Sequence, residues 1–263
     1  HSRYSIVGTE KVNTPMTTVP QHYAIACIAI GFATPALANQ PGEEIDLARC
    51  GAVGRRGGAG VEVVEYDRFN TEGSSGGAAY VSFDNVAVGA TMASVLEPAI
   101  DALGVSPAKV VMQNGGGADN NAVLCRDGYN ATVEARVAAG DWELVADQFT
   151  PDWDNAEALS IAEQILVGAE NNVNGWFAAN DGIANSVIGA IESAGLDPST
   201  IPVSGQDATQ AGIQNVLLGK QAMSVYKPIK DEVAVASQIA LALRAGEDVA
   251  SQTGDFTIIG IDA

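Results

Sequence analysis

Asp, Asn, Gln, Arg and Lys recur at one kind of place in this chain, directly after short apolar runs rich in β-formers. Val61 to Tyr66 ends in Asp67-Arg68, Ala79 to Phe83 in Asp84-Asn85, and Lys109 to Gln113 in Asn114 and a Gly-rich turn leading to Asp119-Asn120-Asn121. Leu144 to Gln148 is followed by Asp152-Trp153, Gly175 to Ala179 by Asn180-Asp181, Ile201 to Ser204 by Gln206-Asp207, and Ala222 to Tyr226 by Lys227. An Asp or Asn after a strand most often caps a helix or forms a turn, and Asn85, Asp119, Asp154 and Asp181 are read that way. Arg68 and Lys227 cannot cap a helix N-terminus, so the set exceeds what capping requires and points to a polar ligand. The carboxylates and amides of Asp67, Asn121, Asn180 and Asp207 can each engage neighbouring hydroxyls in pairs, Arg68 offers a planar donor fork, and Lys227 a point charge. At about 1.5–3 kcal/mol per charge-assisted hydrogen bond, a handful exceeds the roughly 8 kcal/mol of a micromolar complex before entropic costs. Trp153, between Asp152 and Asp154, reads either as a platform for the apolar face of a sugar ring or as a half-buried surface aromatic.

Other chemistries lack their residues. The only histidines are His1 and His22, so a Ser-His-Asp or Cys-His engine, a His-rich metal site and a histidine base are absent from the body of the chain. Cys27, Cys50 and Cys125 show no C-x-x-C spacing, which indicates neither a disulfide framework nor a thiolate zinc site; Cys125 is read as a small buried apolar residue. Gly115-Gly116-Gly117 follows a strand, but no G-x-G-x-x-G and no Walker Lys-Ser/Thr pair is present, and Asp119 would repel a phosphate. It is read as a flexible turn, and no cofactor or metal is expected. Thirteen Lys plus Arg against 32 Asp plus Glu give a net charge of −19, which repels phosphate backbones and anionic headgroups and excludes nucleic-acid and membrane-surface partners.

The elements that must position the polar set alternate regularly after Gly60. Helical periodicity runs near Val86 to Leu103, Asn121 to Ala139, Asn155 to Val167, Gly182 to Ala194, Ala208 to Leu218 and Ile229 to Ala245, between the strand candidates above. Gly104, Gly140, Gly168, Gly195, Gly219 and Gly246 fall where helices should stop. This pattern predicts an α/β protein with parallel sheets covered by helices. In such sheets ligands bind outside the carboxyl ends of the strands, so the polar side chains should gather at one end. A chain of 263 residues suits one large domain or two compact lobes.

The N-terminal part reads differently. From Met16 to Ala38 an apolar run, Tyr23 to Phe32, precedes an Ala36-Leu37-Ala38 triplet, the shape of a secretory signal without a basic n-region; a buried strand or helix is the alternative. Residues 41–60 show neither period and read as linker, and the segment before Gly60 is expected to be foreign to the fold.

Several blocks carry a family resemblance. Val64 to Asn85 (VEYDRFNTEGSSGGAAYVSFDN), Asp119 to Arg126 (DNNAVLCR), Asp147 to Leu159 (DQFTPDWDNAEAL), Ala179-Asn180-Asp181, Ser204 to Gly212 (SGQDATQAG) and Met223 to Ile229 (MSVYKPI) closely resemble the D-xylose-binding substrate-binding proteins of ABC importers, within the ribose/galactose-type periplasmic binding proteins. The resemblance covers roughly Gly60 to Val249. It implies sugar contacts from Asp67, Arg68, Asn121, Trp153, Asn180, Asp207 and Lys227, and two hinged α/β lobes that close on a ligand. Crossings are expected near Asp84-Asn85 and near Gly205 to Asp207, with Asp67, Arg68 and Lys227 on the first lobe. The expected division is an unmatched segment 1–59 with a candidate signal at 16–38, a first lobe of 60–84 plus 207–250, a second lobe of 85–206, and a short C-terminal segment 251–263. The first lobe is expected to be incomplete, because residues 1–59 show no match to the family's opening βα units. The resemblance also implies a periplasmic or extracellular monomer that delivers a monosaccharide, D-xylose first, to an ABC permease. A receptor-linked sugar sensor fits the same residues. An enzyme would use Asp67 and Asp207 as acid and base, but the surrounding cations and amides suit hydrogen-bonded binding better than proton transfer, so no catalysis is expected.

Overall fold

In the computed structural model the described residues are 5–10, 27–28, 64–68, 79–247 and 257–262. Two strands, β1 (Ser5–Glu10) and β2 (Cys27–Ile28), fall within the first 59 residues; the rest of that segment, including the linker and all of the candidate signal except Cys27–Ile28, lies outside the described residues. The chain divides into a larger unit of residues 1–11, 84–227 and 257–263 and a smaller unit of residues 12–83 and 228–256.

The larger unit is organised by the apolar run Val110-Val111-Met112 in β5 (Ala108–Asn114). Side chains of a strand alternate between faces, so Val110 and Met112 enter one core cluster and Val111 the other. β5 pairs in parallel with β6 (Trp142–Phe149) and β7 (Gly175–Ala178). The expected strand Ile201 to Ser204 is reduced to a bridge between Trp176 and Val203, where Pro202 has no N–H to add to a ladder. A second parallel bridge, Gln206 to Val225, leads on to β8 (Met223–Val225). β8 lies parallel to β1, and β1 antiparallel to β9 (Thr257–Asp262).

Helices α1 (Asn85–Asp101) and α2 (Asn120–Ala139) supply Val88, Met92, Leu96, Cys125 and Tyr129 to the first cluster. Helices α3 (Asn155–Gly168) and α4 (Asp181–Ser193) supply Ala158, Leu166, Ile183, Val187 and Ile191 to the second. Each fully buried Val, Leu, Ile or Met side chain among these contributes about 1.5–3 kcal/mol. Cys125 is buried and free, as expected of a small buried apolar residue. The α1–α2 crossing is close: a Cβ on Gly89 would lie 2.0 Å from the Cys125 carbonyl oxygen, and one on Gly128 2.1 Å from that of Val86.

Caps explain where these helices begin. Asp119 and Asp154 cap α2 and α3 as expected, accepting from the N–H groups of Asn121 and of Ala156 and Glu157. The caps of α1 and α4 are Asp84 and Asn180, one residue ahead of the Asn85 and Asp181 expected. The capping side chain must leave an extended residue and reach forward two or three N–H groups, and Asp84 and Asn180 hold that extended backbone. Helix α5 (Gln210–Leu217) is capped by Thr209.

In the smaller unit β3 (Val64–Tyr66) pairs in parallel with β4 (Ala79–Val81) and antiparallel with β2. Helix α6 (Ile229–Ala245) packs Ala236, Ile239 and Ala240 against Val64 and Val81. Gly246, at φ 75°, ends it in a left-handed cap. Burial, then the charge and hydrogen bond of Glu232, push the Tyr66 hydroxyl up to about 12. Residues 207–227, expected to lie with 60–84, group with the larger unit. Met223 and Val225 are buried in its first core cluster, and the Asp207 N–H donates to the Val225 carbonyl at 2.8 Å. The chain passes between these units at Lys227-Pro228, whereas the sequence led to the expectation of a crossing near Gly205 to Asp207. No helix among the described residues is long and apolar enough to cross a membrane.

Candidate ligand-binding site

The ends of β5, β6, β7 and β8 and of the 201–206 segment deliver five of the seven candidate residues to the larger unit: Asn121, Trp153, Asn180, Asp207 and Lys227. Lys227 Nζ lies 3.0 Å from Asp207 Oδ1, and its side chain is 16% exposed against 38% for Asp207. The cation is thus the more sheltered partner. Trp153 is half-buried, and its Nε1 donates to Asp119 Oδ2 at 3.0 Å. The other Asp119 oxygen accepts the Asn121 N–H at 3.0 Å, so one carboxylate fixes both the indole and the start of α2. A Cβ on Gly115 would sit 2.2 Å from the Trp153 ring. Gly115, with Gly116 beside it, where a Cβ would lie at 3.2 Å, is therefore a seat for the indole, a close approach that a side chain on Gly115 would block, where sequence reading gave only a flexible turn.

The remaining members connect through this rim. Asn180 uses Oδ1 to cap α4, accepting from the Ile183 N–H at 2.8 Å, which leaves its amide NH2 as the group it can offer a ligand. Asn155, two residues past Trp153, faces the same helix start: a Cβ on Gly182 would lie 2.6 Å from Asn155 Oδ1 and 3.4 Å from Asn180 Oδ1. Gln206 Nε2 donates to the Ala179 carbonyl at 2.6 Å and lies 4.0 Å from Cys125 Sγ, one helical turn beyond Asn121. Burial pushes the Cys125 thiol up to about 12, with Lys227 lowering it and Asp207 raising it, so the ion pair acts on the same place. Asp67 and Arg68 are on the smaller unit. The Asp67 N–H extends the β3–β4 ladder to the Val81 carbonyl at 2.9 Å, and Arg68 Nε lies 3.5 Å from Asp67 Oδ2.

Backbone strain collects at these positions. Among the described residues, seven non-glycine residues have positive φ, and five of them, Asp67, Asp152, Trp153, Asp207 and Ala208, are at strand ends of the candidate set. Each costs of order 1–3 kcal/mol and persists only where its surroundings over-determine it, a condition that concentrates at ligand-gripping sites.

Residues 49–248 match the periplasmic binding protein domain family. The chain belongs to that family. The match takes in residues 49–59, ahead of the Gly60 at which the sequence resemblance begins. The D-xylose-binding periplasmic protein of Haemophilus influenzae is 35% identical over 191 residues, covering 72% of this chain and 55% of that protein. The protein of the same description from Escherichia coli is 34% identical over 194 residues, covering 74% of this chain and 56% of its own length. This family member thus spans a little over half the length of the relatives it matches. Among solved structures, an ABC transporter periplasmic solute binding protein from Actinobacillus succinogenes with bound D-allose superposes with a TM-score of 0.64. It is 27% identical and covers 79% of this chain and 72% of its own.

Two features of this periplasmic binding protein domain were not legible in its residue types. One is the network beneath the β5 end. Asp147 accepts from Arg126 Nε at 3.2 Å and from Asn114 Nδ2 at 2.7 Å, also pairs with Arg126 Nη2, and Asn114 Oδ1 accepts from the Tyr129 hydroxyl. Burial alone would raise the Asp147 carboxyl; the hydrogen bonds from Arg126 and Asn114 and the Arg126 charge outweigh it and hold it below the usual carboxylate range. A carboxyl depressed in the folded state stabilises above its unfolded value, about 3.9, and loses that contribution as pH falls through the folded value. Asp147→Asn is expected to unfold more readily than the parent at pH 7 in urea melts, with the difference closing as the pH falls below about 4. The other feature is Asp181, read as a cap or turn former and found buried at 1% exposure among hydrogen-bond donors.

Trp153 carries its own test. Trp142 and Trp176 are 3% and 0% exposed, so a ligand-induced change in tryptophan emission reports on Trp153. Trp153→Ala is expected to abolish that change and to weaken binding roughly five- to tenfold, the value of a lost aromatic contact of about 1–1.5 kcal/mol. An emission change that survives the substitution would place the ligand away from this indole.

Proposed function

We propose that this chain binds a monosaccharide, D-xylose or a close pentose, for delivery to an ABC sugar importer. The observation that carries the reading is the Asp207–Lys227 pair, 3.0 Å apart, set with Asn180, Asn121 and Trp153 at the carboxyl ends of one parallel array. Vicinal hydroxyls each donate one hydrogen bond and accept others, and this rim offers a carboxylate to accept, an ammonium and amide N–H groups to donate, and an indole face to stack. Two relatives named as D-xylose-binding support the choice of sugar; the allose bound to the solved structure makes hexoses the comparison set. Asp67 and Arg68 are proposed as further contacts on sequence grounds. The reading includes a periplasmic or extracellular setting, an ABC permease as partner, a monomeric state, and binding without turnover, so aryl xylosides are expected to stay intact.

A thermal-shift panel tests the reading. At a concentration near 1,000 times its dissociation constant, a ligand adds about 4 kcal/mol, which at roughly 2–4 °C per kcal/mol is a rise of about 8–16 °C in Tm. D-Xylose is expected to give the largest rise, ahead of L-arabinose, D-allose and D-glucose. No rise with any of the four at millimolar concentration would remove the proposed function.

A further inference from the structure

Asp181 is not the cap of the helix that it begins; Asn180 caps α4. Its carboxylate faces inward, where four donor groups converge. Oδ2 accepts from the Thr209 N–H at 2.8 Å and the Thr209 hydroxyl at 3.1 Å; Oδ1 accepts from Ser224 Oγ at 2.7 Å and Gln221 Nε2 at 2.9 Å. Two glycines clear the space: a Cβ on Gly212 would lie 2.1 Å from Oδ2 and one on Gly205 2.3 Å from Oδ1. Taking a carboxylate out of water costs several kcal/mol unless it is fully hydrogen-bonded. Thr209 N–H and Gln221 Nε2 can only donate, so they require an acceptor at both oxygens. Burial is the main influence raising this carboxyl, with Ser224, Gln221 and Thr209 pulling it down and Asp207 raising it further.

The contacts of Asp181 bracket the one turn that displays Asp207. The Asp181 N–H donates to the Gln206 carbonyl at 3.0 Å, immediately before Asp207. Ser224 Oγ, which donates to Asp181, accepts the Ala208 N–H at 3.0 Å immediately after it, and Thr209 follows. Asp207 and Ala208 lie between these anchors at φ 93° and 46°, conformations that side-chain-bearing residues hold only under constraint. Ser224 also fixes β8, three residues ahead of Lys227, and Asn180 is covalently next to Asp181.

Resting on the sugar-binding reading above, we propose that Asp181 is a positioning residue: it touches no ligand, and it holds the 206–209 turn and β8 so that Asp207, Lys227 and Asn180 present to the sugar together.

The test has two readouts on the full chain. In the sugar-free protein, the side-chain amine resonance of Lys227 in NMR reports its pairing with Asp207. Asp181→Asn, which puts an amide NH2 among four donors, is expected to move that resonance in the direction in which Asp207→Asn moves it. A resonance unchanged from the parent would overturn the proposal, whether or not sugar binds. In titrations with D-xylose, Asp181→Asn is expected to weaken binding roughly tenfold to a hundredfold, but less than about threefold further in the Asp207→Asn background, because residues acting through one another are non-additive. A full multiplicative loss in that background would assign Asp181 a general structural role and overturn the proposal. Should Asp181→Asn not fold, Ser224→Ala removes only the hydroxyl between the carboxylate and Ala208 and enters the same cycle with the same expectations in smaller measure. A parent chain that binds no sugar while the Lys227 resonance responds as expected would count against the functional reading alone.

Discussion

Asp207→Ala is expected to weaken D-xylose binding by roughly a hundredfold to a thousandfold, the equivalent of about 3–4 kcal/mol. Two losses combine. The carboxylate takes with it charge-assisted hydrogen bonds to hydroxyls, each about 1.5–3 kcal/mol. It also takes a carboxylate from 3.0 Å of Lys227 Nζ, in a side chain only 16% exposed, and removing one member of a sheltered ion pair is costlier than the pair is worth. Isothermal titration reads the affinity, and the melting temperature of the sugar-free variant separates lost contact from lost fold. Affinity within threefold of the parent would strike Asp207 from the site.

Gly128→Val is expected to destabilise the fold by about 3 kcal/mol or more, beyond the ordinary range for overpacking. The atoms that a Cβ would meet are backbone: the Val86 carbonyl oxygen at 2.1 Å and the Ala90 nitrogen at 2.8 Å. No rotamer change relieves that, so α1 and α2 must separate and open the cluster of Val88, Met92, Cys125 and Tyr129. The melting temperature should fall by roughly 6–12 °C. Gly168→Ala is the control, since nothing lies within 4 Å of a Cβ there; it should leave the melting temperature unchanged or slightly raised. Equal effects at the two glycines would refute the close-crossing account.

What the sequence made legible follows from period and punctuation. The Val110-Val111-Met112 run within Lys109 to Gln113 could be read as a strand of a helix-covered parallel sheet, whose strands are apolar on both faces, and it lies at the centre of its three-stranded sheet. Helices α1 to α6 start and stop close to the expected residues because Asp, Asn and Gly mark ends through local chemistry. Ile201 to Ser204 came out as a single bridge and not a strand, because a ladder needs a donor that Pro202 lacks. The candidate site was legible as a set of strand-end residues, since sheet topology alone sends those ends to one side. Its internal arrangement was not. Nothing in the type of Asp181 distinguishes a cap from a buried carboxylate, and the Gly115-Gly116 pair marks an indole seat only once Trp153, 38 and 37 residues later, is known to lie upon it. Lys227 was expected to lie apart from Asn121 and Asn180, because the assignment of residues 207–227 to a unit depends on where Met223 and Val225 are buried.

The most direct test of the central claim is a crystal structure of the chain grown with D-xylose. A pentose is expected with hydroxyls about 3 Å from the Asp207 carboxylate, Lys227 Nζ and the Asn180 amide, its apolar face against Trp153. A sugar resolved elsewhere on the chain, with none of its hydroxyls at Asp207 or Lys227, would contradict that claim.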